Sequence, residues 1–197
     1  MRTLTALTFA LLALAVASPA KAIDAPSIAV DVAGGWSVTS YRHYGQAATL
    51  AGPALDFTVG AGWQSDRVTV GAVAGVLAAP LLDASGPDSL HDRLLVPHAG
   101  AFVTRRLARA PVSLAARLEL AFGRLTGPLF VPDGGINTVT LNSLFGGLAS
   151  VAGSYDLALA GDQRLAIGLD LTGGWLGASN GRMVPLAVLA FVGVRWD

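Results

Sequence analysis

Leu186-Ala-Val-Leu-Ala-Phe-Val-Gly-Val-Arg-Trp196 alternates with a period of two. Leu186, Val188, Ala190, Val192, Val194 and Trp196 fall on one side; Ala187, Leu189, Phe191, Gly193 and Arg195 fall on the other. Such alternation marks a β-strand with two unlike faces. About ten residues is also the length at which a tilted strand crosses a bilayer. One face is wholly apolar and ends in tryptophan. The other mixes the small Ala187 and Gly193 with Leu189, Phe191 and the charge of Arg195.

The same pattern recurs upstream. Alternating segments cover residues 28–39, 55–64, 68–76, 98–104, 112–123, 145–157 and 165–172. With the last segment this makes eight strands, and taken together their second faces are mostly Gly, Ala, Ser and Thr, with a few charges. An apolar face turned outward to lipid and a small-residue face turned into a narrow lumen describe an eight-stranded transmembrane barrel. The fold class expected is all-β: an eight-stranded antiparallel up-and-down transmembrane β-barrel. The connections alternate in length. Long ones fall near 40–54, 78–96, 124–140 and 173–185, and short ones near 65–66, 105–111 and 160–163. Gly52-Pro53, Gly86-Pro87, Pro132-Asp133-Gly134-Gly135 and Asn180-Gly181 supply turn chemistry within the long ones. Short periplasmic turns and longer external loops are the asymmetry of membrane barrels.

Composition narrows the classes further. The chain has 197 residues, of which 53% are hydrophobic and only 13% charged, with 24 Gly and no Cys. Arg2, the apolar run over residues 4–17 and Ala20-Lys21-Ala22 form a secretory signal, so residues 1–22 are set apart as a signal peptide and 23–197 as the barrel domain. Arg2 and Lys21 leave with it. The remaining basic residues are 11 Arg and no Lys, against 13 acids. That balance excludes a basic nucleic-acid-binding surface. The absence of Cys excludes disulfide frameworks, Cys-ligated zinc and iron–sulfur clusters. With no Gly-Lys-Ser/Thr there is no phosphate loop. The three His show no ligand spacing, and Asp83, Asp88 and Asp92 lack the 12-residue calcium-loop pattern. No cofactor or metal is expected.

The whole mature chain resembles the small outer-membrane β-barrel proteins of Gram-negative bacteria, most generally the eight-stranded barrels typified by the outer-membrane protein A transmembrane domain. The carrier is the last strand. Its alternation ending in an aromatic looks like the C-terminal signal read by the barrel-assembly machinery, although here Asp197 follows Trp196. The resemblance implies an outer-membrane location, contact with outer-membrane lipid and lipopolysaccharide, and the assembly machinery as a partner. It selects no subfamily.

The candidate site residues are charges on the small-residue faces: Asp31, Asp56, Arg117, Glu119, Asp170 and Arg195. A charge in a narrow lumen needs a partner, because unpaired burial costs several kcal/mol. Asp31 and Arg195 lie near the same end of the first and last strands and are expected to pair across the closing seam. Arg117, Glu119 (the only Glu in the chain) and Asp170 are expected to form a second cluster at mid-height. Such a network plugs the bore; its alternative is a selectivity ring. Trp36, Trp63 and Trp196, with Phe57 and Phe122, read as membrane-interface anchors.

The expected role is non-enzymatic, structural or surface-interacting. A small porin-like channel is one alternative. A lipid A-modifying acyltransferase or deacylase is the other. In the lipid A palmitoyltransferases, also eight-stranded, a His after the first strand works with an Asp-Ser pair after the third. His43 and Asp88-Ser89 are similarly placed. Against this, Asp and Ser are ordinary turn formers, and a deacylase would want a His and Ser together on a late strand, whereas no His follows His98.

Overall fold

The computed structural model describes residues 25–43, 46–83, 91–130, 136–178 and 181–196. The signal segment 1–22 lies outside them, as do Asp88, Ser89, the 132–135 turn and Asn180. Eight strands follow one another: β1 (Ala25–His43), β2 (Gln46–Ser65), β3 (Val68–Asp83), β4 (His91–Arg106), β5 (Val112–Phe130), β6 (Ile136–Ala158), β7 (Gln163–Ala178) and β8 (Gly181–Trp196). Each pairs antiparallel with its neighbour, and β1 pairs with β8 to close the barrel. Closure leaves no free edge, so every strand has a ladder partner on both sides.

The exterior decides the solvent. Ile28, Val32, Leu55, Phe57, Leu120, Phe122, Leu169, Val188 and Val192 are exposed on the outward face, about half or more of each side chain uncovered. A belt of this extent does not face water in a soluble protein, so the barrel spans a membrane. Trp63 and Trp196 stand outward at the end that carries the chain termini. Trp36 stands outward nearer the far end. Trp175, within the loop expected near 173–185, stands there too, because β7 continues through it to Ala178.

The strands run 16–23 residues, longer than the alternation suggested. The expected loops at 40–54 and 173–185 are mostly strand, with tips only near 44–45 and 179–180. Gly52-Pro53 is no turn: it lies inside β2, where Pro53 pairs with Trp36. Likewise β4 begins at His91, so His98 sits mid-strand rather than at a strand start. The cause is a reversal of packing. Toward the far end Leu50, Leu77, Leu94, Val96, Leu125, Leu144, Leu176 and Met183 point inward and are almost fully buried, forming an apolar core. Where apolar residues switch from the outward to the inward face, the period of two loses its phase. The sequence then reads as a break although pairing continues.

The turns at the terminus end are tight. Asp66 takes a left-handed φ of 51° between β2 and β3, a conformation that Asp tolerates better than most residues. Gly161, with φ of 64°, does the same between β6 and β7.

Candidate functional site: the lumen

Three polar assemblies occupy the lumen below the apolar core. In two of them a long side chain reaches over a small residue on the strand between; the third spans the directly paired β8 and β1.

The first joins β2, β4 and β5. His98 on β4 lies opposite Gly75 of β3 in register. Because Gly75 has no side chain, the imidazole passes over β3 to Asp56 on β2; a Cβ on Gly75 would lie 2.6 Å from the ring. The His98 Nε2 is 3.1 Å from the Asp56 carboxylate, and Nδ1 is 3.0 Å from Glu119 on β5. All three side chains are nearly excluded from solvent, at 2%, 6% and 1% exposure. Neutral imidazole carries one N–H, and an ionised carboxylate carries none. Two hydrogen bonds therefore require two protons among the three groups: both N–H of an imidazolium, or one N–H and one carboxyl O–H.

The second joins β5, β6 and β7. Arg117 lies opposite Ser150 of β6 and donates from Nε to the Ser150 hydroxyl at 2.7 Å. Its guanidinium continues over β6 to Asp170 on β7, to which it donates. Thr172 also donates to Asp170. The third joins β8 and β1, where Arg195 donates to Asp31. Gly193 faces Asp31 in register and leaves the space that the carboxylate fills. At the same end Ser113 and Ser154 donate to Asp156, with the guanidinium of Arg164 3.6 Å away.

Asp31 and Arg195 thus meet at the closing seam, and Arg117 meets Asp170. Glu119 departs from its expected place. It turns to His98 rather than joining the Arg117–Asp170 pair, and Asp56 is drawn into the same group. His98 was the residue missed. Its signal was available: it lies on the lumen face of its segment, two strands from Asp56 and one from Glu119. The enzyme candidates are not brought together by anything described. Asp88 and Ser89 lie outside the described residues, and His43 is placed only as the backbone end of β1. Among the described residues no group of three His, Asp or Glu side chains is arranged to hold a metal ion.

Beneath these groups a cavity of about 80 Å³ runs from the terminus end, where Ser27, Arg67, Arg106 and Arg164 line it, up to Asp56, Arg117 and Asp170. It stops at the network. Above, the apolar core fills the bore. The arrangement ties non-adjacent strands together and closes the lumen.

No protein-family model matches the chain, and no curated protein matches it in sequence. Solved structures do. Neisserial surface protein A is 17% identical over 88% of this chain and 99% of its own, with a TM-score of 0.48. Ail, the attachment invasion locus protein of Yersinia pestis, crystallised with the heparin analogue sucrose octasulfate, is 8% identical over 84% and 98%, with a TM-score of 0.47. The outer membrane protein AlkL is 12% identical over 92% and 94%, with a TM-score of 0.47. These are likenesses of architecture, and no residue role is carried across from them.

Proposed function

We propose that the chain is a non-enzymatic barrel of the bacterial outer membrane, closed to solutes, whose work is done by its outer wall and external rim. The leader over residues 1–22 would deliver it to the periplasm, and the terminal strand ending in Trp196 would present it to the barrel-assembly machinery. The termini then lie on the periplasmic side, and the tips near 44–45, 84–90, 131–135 and 179–180 lie outside. The observation that carries this function is the doubly closed lumen: an apolar core in the external half above buried ion pairs at mid-height. Water and ions find no polar path through a packed core of Leu side chains. The test is planar-bilayer recording of the folded barrel beside a liposome-swelling assay with small sugars. No stable conductance steps and no swelling are expected. Steady open steps in the native protein would overturn this function in favour of the channel alternative.

A further inference from the structure

The β4–β5 seam carries a second feature, on the outside of the barrel. Ladder pairing runs from Arg93 to Leu95, lapses at Val96 and Pro97 opposite Phe122 and Gly123, and resumes at His98. Pro97 has no N–H to donate, which accounts for the lapse. On the other side of β5 the register shifts between Gly123 and Leu125, where two residues of β6, 142 and 143, oppose Arg124 alone. The result is a notch in the lipid-facing wall, lined by Leu95, Pro97, Phe122 and Phe145 with Arg124 at its edge. The two phenylalanine rings stand 5.1 Å apart, tilted. At the far-end side of the notch stand Arg93 and Arg124, both exposed and outward. They are diagonal neighbours in the ladder, which sets their Cα atoms about 7–8 Å apart. No ion pair joins either to a described carboxylate. Among the described residues, the carboxylates of Asp31, Asp56, Glu119 and Asp170 are paired inside the lumen.

We infer that this notch binds one lipopolysaccharide molecule of the outer leaflet. A lipid A phosphate lies between Arg93 and Arg124, and an acyl chain lies in the notch below. The assignment rests on the orientation proposed above, which puts this end of the wall in the outer leaflet. The chemistry is specific. Two guanidinium groups on an apolar wall match a phosphate fixed at the headgroup level, because Arg offers paired N–H donors to phosphate oxygens. Two like charges this close on one face repel each other, and a bridging anion relieves that repulsion. The depression beneath supplies the apolar contact that a flat wall lacks.

The test uses the folded full barrel in non-ionic detergent, with purified lipopolysaccharide as the probe and native mass spectrometry as the readout. Arg93→Gln/Arg124→Gln should weaken binding about tenfold, the scale of one lost charge-assisted contact. Pro97→Val restores an N–H to the seam and fills the notch; it should weaken binding severalfold while the barrel keeps its heat-modifiable gel shift. Arg42 and Arg182 are exposed and face each other across β1 and β8, so Arg42→Gln/Arg182→Gln removes equal charge where the wall offers no such notch, and should change binding less than twofold. Dephosphorylated lipid A should bind the native barrel as weakly as lipopolysaccharide binds the double variant. Equal losses from both Arg pairs, or phosphatidylglycerol binding as tightly as lipopolysaccharide, would overturn the site. A conducting barrel that still bound lipopolysaccharide in this manner would overturn only the closed-lumen function.

Discussion

Removing the His98 imidazole should be the most damaging single change in the lumen. His98→Ala leaves Asp56 and Glu119 buried, with no donor between them. Two charge-assisted hydrogen bonds at about 1.5–3 kcal/mol each are lost. Breaking a buried ion pair by deleting one partner costs about 3–5 kcal/mol. The two routes agree on a loss of about 3–5 kcal/mol. The side chains are so nearly excluded from water that solvent screening does little to reduce it. The assay is guanidinium unfolding of the barrel in detergent, followed by tryptophan fluorescence. Trp36, Trp63, Trp175 and Trp196 all face outward, so their emission reports departure from the apolar phase. The decisive comparison is Asp56→Asn/His98→Ala/Glu119→Gln. It keeps the vacancy but strands no charge, and should recover at least half of the loss. Should His98→Ala cost less than about 1 kcal/mol, or should the triple variant be as unstable as the single one, unpaired charge is not what the imidazole prevents.

Gly75→Ala places a Cβ 2.6 Å from the His98 ring and 2.6 Å from the Phe57 carbonyl oxygen, and a loss of about 1–3 kcal/mol is expected in the same titration. Gly153→Ala, whose Cβ meets nothing nearer than 3.7 Å, should stay within about 0.5 kcal/mol of the native protein. Arg195→Met leaves Asp31 unpaired at the closing seam, but both side chains retain 21% exposure. Water takes up part of the loss, so the effect should fall clearly below that of His98→Ala when the two midpoints are compared. Leu144→Ala opens space in the fully buried far-end core and should cost about 2–5 kcal/mol. In planar bilayers it should still show no conductance, since the ion pairs below are untouched.

The strand count, closure and outward parity were legible because lipid on one side and a narrow lumen on the other impose period two on every strand. Asp31 and Arg195 were legible as partners because the closing seam follows from the strand count alone. Strand length was not. In β4 the consecutive Leu94, Leu95 and Val96 alternate inward, outward, inward, and an unbroken apolar run hides which face is which. Pro53, Pro80, Pro97 and Pro185 all fall within strands, against the usual meaning of proline as a strand end. Pro53 and Pro80 belong to stretches that the β2–β3 ladder leaves unpaired between Ala51 and Leu55. A closed barrel tolerates such lapses, because the remaining pairs hold the register on either side. The drawing of Asp56 into the His98–Glu119 group depended on the residue between them, Gly75, being small enough to be crossed. Alternation identifies faces but not reach.

The reversal of packing at mid-height explains why the charges sit where they do. In the half near the termini the lumen is lined by Asp31, Thr58, Thr69, Ser113 and Ser154 and holds a cavity. In the far half it is filled mainly with apolar side chains, chiefly Leu with Met183 and Val96, among which Ser37 and Thr39 are also buried. A polar lumen and an apolar core meet poorly, since water at the boundary would touch hydrocarbon on one side. The Asp56–His98–Glu119 and Arg117–Asp170 groups lie at that boundary and satisfy one another. They require little from the cavity below and nothing from the core above. Their reach across β3 and β6 also links strands that do not pair, so rotation of one wall against another breaks a buried ion pair as well as a ladder. Gly75 and Ser150 are therefore as much part of the closure as the charges that cross them. A larger residue at either position holds the long side chain on its own side of the barrel and leaves the opposing carboxylate without its partner.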